Sequence, residues 1–200
     1  MLLAIAASMA QLGCDTASPE AEPPGPKLLI VAVEVTVGID GAGQPVRSGL
    51  APDGTTQALP TTTLRVRFNR YVDPPSVTRG AVCLQSSRDD VTAIDQCSRR
   101  VVLRPSYDPV TRTASYYLSE ETTRLAPNTL YRATFLVPDP EAENLGFRAF
   151  DGVPLGGRVV VEFQTGDDDP SIPTEGPPQA SYCAPVACRS DCRALPEPDA

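Results

Sequence analysis

Between Thr63 and Asn69 the chain reads TLRVRFN, and its side chains alternate strictly. Leu64, Val66 and Phe68 share one face, while Arg65, Arg67 and Asn69 share the other. A period of two over this length defines a strand buried on one side only. Six further runs carry the same bias toward β-branched and aromatic residues: LLIVAVEVTV from Leu28, then AVCLQS, RVVLRP, ASYYLS, LYRATFLV and RVVVEFQT. Turn residues separate them. With 22 Pro and 14 Gly in 200 residues, the chain has little room for long helices. The pattern predicts an all-β domain, an antiparallel sandwich of about seven strands, over residues 28–166.

Composition narrows the chemistry. Histidine is absent, which removes Ser-His-Asp and Cys-His nucleophile systems and mixed Cys/His zinc sites. There is no G-x-S-x-G elbow and no phosphate loop, so no catalytic residue, metal ligand set or cofactor is assigned and the chain is expected not to be an enzyme. A formal net charge of -8 repels phosphate backbones, which argues against nucleic acid as a partner. The carboxylates in GDDDP (166–170) lack the spacing of a calcium loop and read as an acidic linker. Arg65, Arg67, Arg70, Arg99, Arg100 and Arg104 read as outward strand charges, with a binding stripe as the alternative. Asp73 and Asp151 fit turns.

Residues 2–13, LLAIAASMAQLG, form an apolar run too short to span a bilayer, which needs about 20 residues. Ending in Gly13-Cys14 before the polar DTASPEAEPPGP, the run resembles a bacterial lipoprotein signal. The resemblance implies removal of residues 1–13 and a diacylglycerol on the thiol of Cys14. The chain would then be a lipid-anchored protein of the cell envelope. Residues 14–27 are too poor in large apolar groups to order themselves and read as a disordered tether. At the other end, residues 167–200 read as an acidic, Pro-rich linker and a tail holding Cys183, Cys188 and Cys192. Their spacing is not that of a zinc knuckle, so a small disulfide cap is preferred and a metal site is the alternative.

Three blocks, LRVRFNRYVDPPSV (64–77), LAPNTLYRATF (125–135) and FDGVPLGGRVVVEFQTG (150–166), are similar in order and spacing to the bacterial Ig-like domain of S-layer and other surface proteins. The resemblance implies a Greek-key sandwich that works by presenting surfaces. Tyr131, after Leu125-Ala126-Pro127, fits the tyrosine that closes a corner by bonding backbone upstream. The segment 38–62 reads as a long loop added to that pattern. Cys83 and Cys97 are the two cysteines inside the domain, and export favours their disulfide. The function expected is a binding, spacer or adhesion module with an envelope protein or glycan as partner. The alternative is an accessory domain of a larger envelope enzyme or electron carrier.

Overall fold

The structure, a computed structural model, describes residues 25–50, 54–120, 122–139 and 146–177, with the backbone of 181–182 and 193–194. Cys14, the signal segment, most of the tether, and Cys183, Cys188 and Cys192 lie outside the described residues.

Two sheets pack face to face. The first holds β1 (Ile30–Ile39), β2 (Pro45–Gly49), β4 (Leu64–Phe68), β6 (Leu103–Asp108) and β7 (Thr113–Leu118), in the order β2-β1-β4-β7-β6. The second holds β3 (Gln57–Ala58), β5 (Val82–Gln85), β8 (Leu130–Phe135) and β9 (Val159–Thr165), in the order β3-β9-β8-β5. The alternation in β4 places Leu64, Val66 and Phe68 in the core, all at 1 % exposure or less, while Arg65 and Arg67 face outward. Opposite them sit Ala133 and Phe135 of β8 and Phe163 of β9. Phe147, from the excursion between β8 and β9, lies between the layers. Its ring centroid is 5.0 Å from Phe68 and 6.4 Å from both Tyr116 and Phe135, so one aromatic ring ties the two sheets together.

The sandwich therefore has nine strands where about seven are expected. The surplus comes from 38–62, which is not one long loop. Pro45–Gly49 pairs antiparallel with β1, and Gln57–Ala58 pairs in parallel with β9, so the second sheet is mixed and not purely antiparallel. The ladder of β6 with β7 runs from Leu103↔Leu118 to Asp108↔Thr113, three residues downstream of the expected RVVLRP. Val101 and Val102 are half-buried outside the strand. A separate two-residue ladder joins Ser181–Tyr182 to Arg193–Ala194.

Both faces of β5 are covered. Val82 and Leu84 point into the main core, whereas Cys83 joins Cys97, Val91 and Leu136 in a second cluster. The segment between β5 and β6 folds back to make it, fixed by the Cys83–Cys97 disulfide with a Cα–Cα distance of 6.0 Å. Arg158 donates to the Val91 carbonyl at 2.8 Å, and Arg132 donates to the carbonyl of Arg88, so the excursion is held at three places.

The corner before β8 has the expected form. Tyr131 is buried, its ring stacks on Phe163 at 5.9 Å, and its hydroxyl accepts the Ala126 N–H at 2.9 Å. Thr165, fully buried at the end of β9, donates to the Ala126 carbonyl at 2.6 Å and accepts the Thr129 N–H at 2.9 Å.

Candidate binding surface

The chain crosses from the first sheet to the second through residues 69–81, and the backbone of this crossing is fixed by the 146–155 excursion. Val72 bridges Ala149, the Asp73 N–H donates to the Arg148 carbonyl at 2.9 Å, and the Phe150 N–H donates to the Tyr71 carbonyl at 3.1 Å. Ser76 supports the junction, its hydroxyl donating to the Asp73 carbonyl at 2.7 Å and accepting the Arg148 N–H at 3.1 Å. Asp73 is thus a turn residue, as expected, preceding Pro74 in a short 3-10 turn, Pro74–Ser76.

β6 forms the opposite wall. It is an edge strand, the position at which its Pro105 costs no ladder hydrogen bond. Beyond it, Asp108 accepts the Val110 N–H at 2.9 Å and the Thr111 hydroxyl at 2.7 Å, shaping the turn that carries Pro109. The Thr111 hydroxyl, followed by the Val110 N–H, holds the Asp108 carboxyl below the ordinary range. Arg112 closes the turn in the left-handed region, at φ 55°.

Between these walls lie two depressions. The first, about 380 Å³, is lined by Tyr71, Val72, Pro74, Tyr107, Pro109 and Phe150. No charged side chain lines it. Tyr107 is fixed there because its hydroxyl accepts the Val72 N–H at 2.9 Å. Tyr71 is 61 % exposed and Phe150 78 %, while the other four phenylalanines are at 1 % or less. The second depression, about 360 Å³, is lined by Arg79, Val102, Leu103, Arg104, Pro105, Ser119 and Glu120. Arg104 pairs loosely with Glu120 at 3.6 Å, and Arg79 makes no ion pair among the described residues. Ser119, only 7 % exposed, has a hydroxyl without a hydrogen-bond partner among the described residues.

The arginines, expected as outward strand charges with a stripe as the alternative, are dispersed. Arg65 faces Glu34 at 3.9 Å, Arg70 pairs with Asp151 at 2.6 Å, Arg104 lies on the edge strand β6, two strands from β4, and Arg99 and Arg100 belong to the β5–β6 excursion. Asp151 does more than turn the chain. It accepts the Arg70 guanidinium at 2.6 Å and the Gly25 N–H at 3.1 Å, while Asn69 donates to the Lys27 carbonyl at 3.1 Å. The last residues of the expected tether are therefore held against the sandwich.

The acidic run is also partnered, not freely solvated. Asp168 meets Arg124 at 2.6 Å, Asp167 accepts the Asn128 amide at 2.9 Å, and Asp169 accepts the Ser171 N–H at 2.9 Å. The Ser171 hydroxyl is the main cause holding the Asp169 carboxyl below its usual range. Burial pushes the Tyr116 phenol well above its usual range. Among the described residues no three His, Cys, Asp or Glu side chains gather at metal-binding distance, and no helix is long and apolar enough to cross a membrane.

Tyr71 and Phe150 lie outside the alternating runs that mark the strands. Each carries a signal, since each is an aromatic residue inside a turn block, YVDPP or FDG, where a strand has ended and the core no longer needs it.

The chain is a two-sheet β-sandwich module. No protein-family profile and no curated protein matches it. Solved structures similar to it are of the bacterial S-layer protein SbsC. The N-terminal part of SbsC aligns with a TM-score of 0.40 at 12 % identity, over 70 % of this chain and 24 % of that one. A structure of SbsC domains 1–6 aligns with a TM-score of 0.41 at 11 % identity, over 70 % of this chain and 14 % of that one. The S-layer protein rSbsC(31-844) gives 0.39 at 13 % identity, over 72 % of this chain and 14 % of that one. The chain spans less than a quarter of the length of each.

Proposed function

We propose that the protein is an exported, lipid-anchored and non-catalytic surface module of a bacterial cell envelope, with an Ig-like sandwich that presents a binding surface or acts as a spacer. The Cys83–Cys97 disulfide carries this reading. It closes a second hydrophobic cluster in which Cys83 is fully buried, and such bonds form and persist in oxidising compartments outside the cytosol. The corner made by Tyr131 and Thr165 supports the Ig-like assignment.

Anchoring rests on Cys14. The first contact among the described residues is at Gly25, and ten residues lie between it and the proposed lipid, a reach of at most about 35 Å. That length holds the domain off a membrane without letting it roam. In keeping with a non-catalytic module, the Asp108, Asp151 and Asp169 carboxyls are held below their ordinary range by hydrogen bonds that shape turns and junctions.

The test is fractionation with mass spectrometry. The exported protein should partition with membranes and carry a diacylglyceryl group on an N-terminal Cys14, and Cys14→Ala should release it. A mature protein cleaved elsewhere, with Cys14 unmodified, overturns the anchoring. Turnover abolished by a single Asp or Glu substitution overturns the non-catalytic reading.

A further inference from the structure

The two depressions draw on the same two elements. Along β6 and its turn, Leu103, Arg104 and Pro105 line the arginine cleft, and Tyr107 and Pro109 line the aromatic groove. On the other side the crossing supplies Tyr71, Val72 and Pro74 to the groove and Arg79 to the cleft. Pro105 and Tyr107 lie two residues apart on one strand and share its face, which sets the depressions side by side along β6.

We propose that they form one track for an acidic sugar chain, with sugar rings stacking on Tyr71 and Phe150 and a carboxylate or phosphate of the sugar seated between Arg79 and Arg104. The proposal rests on the surface-module reading and names its partner. Exposed aromatic rings on a sandwich that otherwise buries its phenylalanines mark a contact surface. The flat apolar C–H face of a sugar ring suits them.

Charge complementarity fixes the other half. In a chain of net charge -8, Arg79 is left without an ion pair among the described residues. Among the described residues the acid that meets Arg104 is Glu120, whose side chain is 91 % exposed; an exposed pair at 3.6 Å is weak enough to exchange for a ligand oxyanion. The guanidinium fork is suited to planar or tetrahedral oxyanions. The unpartnered hydroxyl of Ser119 belongs to the lining of the same cleft. A peptide adding itself as a strand is disfavoured, because Pro105 removes a backbone donor from the middle of the exposed edge.

The experiment titrates the full chain with a galacturonic acid trisaccharide, a mannose 6-phosphate disaccharide and a neutral galactose trisaccharide, by calorimetry at low and at high salt. At least one acidic probe should bind, at least tenfold more tightly than the neutral one and more weakly as salt rises. Which acidic probe binds better separates carboxylate from phosphate. Arg79→Gln should remove most of the preference for acid. Phe150→Ser should weaken binding of every probe at least fivefold, and both variants should melt with the wild type because both side chains are exposed. Absence of binding by both acidic probes, equal affinity for the neutral one, or indifference to both substitutions overturns the track. These outcomes are independent of Cys14 and leave the anchoring to be judged by fractionation alone.

Discussion

Tyr131 and Thr165 hold the same loop from opposite sides. The tyrosine hydroxyl takes the Ala126 N–H, and the threonine hydroxyl binds the Ala126 carbonyl and the Thr129 N–H. Tyr131→Phe keeps the ring stacked on Phe163 but leaves a backbone donor unanswered. It should lower the unfolding free energy by about 1 kcal/mol in urea titration, with an unchanged m-value. The role of Tyr131 is readable from its place after Leu125-Ala126-Pro127. That of Thr165 is not, because nothing local to a strand-end threonine says which distant loop it meets. Asp151 shows the same limit. A turn residue by its sequence, it also anchors Gly25, 126 residues away. The Arg70 guanidinium, with smaller help from the Gly25 N–H, holds its carboxyl below the ordinary 3.8. A depressed folded value means that these contacts are intact above the ordinary value and are lost only as pH falls through the lower one. The Gly25 and Val153 amides should therefore keep their NMR shifts from neutrality down to about pH 4 and move together below it. Asp151→Asn should abolish that step, and a step centred above pH 4.5 would contradict the assignment.

Strands that bury one face announce themselves, and those that bury little do not. β4, β7, β8 and β9 were legible from alternating or β-branched runs. β2 is an edge strand of sequence PVRSG with no buried residue, and β3 is only two residues long, so neither leaves a hydrophobic period to read. β6 was displaced for a related reason. Its RPSYD lacks β-branched residues, and register with β7 overrode the attractive Val101-Val102 pair. The excursion after β5 was legible through its cysteines alone. The bond spans a sequence separation of 14, and replacing Cys83 and Cys97 together by Ala should cost roughly 3 kcal/mol through the freed unfolded chain. The core amides should feel this global loss, and local opening of the excursion, still gripped by Arg132 and Arg158, should add to it. Hydrogen exchange should therefore quicken more at Val91 and Leu136 than at Val66 and Phe163. Equal acceleration throughout would show that the second cluster is part of the main folding unit.

At the scale of the whole molecule, the candidate track was out of reach of sequence reasoning because its parts are remote. Tyr71 and Phe150 lie 79 residues apart and meet only in the fold, where the Phe150 N–H donates to the Tyr71 carbonyl beside the bridge of Val72 with Ala149. The same remoteness hid the outer limit of the folded unit. Composition ends the domain near residue 166, yet Arg124 reaches across to the segment beyond it. Its guanidinium binds the Asp168 carboxylate at 2.6 Å and donates to the carbonyls of Asp169 at 3.1 Å and Ile172 at 2.7 Å. Further along, Thr174 donates to the Thr123 carbonyl at 2.7 Å and Glu175 meets Arg47 at 3.6 Å. Ile172, Thr174 and Glu175 are half-buried in the process. These contacts are few and partly exposed, so together they should be worth about 1–2 kcal/mol. A chain ending at Pro177 should melt with the full chain, whereas one ending at Gly166 should melt lower by about 2–4 °C for each kcal/mol lost. Arg124→Ala in the full chain should reproduce most of that drop and add little to the shorter chain, because both changes remove the same interactions. Additive losses would place the stabilisation elsewhere in 167–177. No loss on ending at Gly166 would make the whole segment a linker in energy as well as in composition.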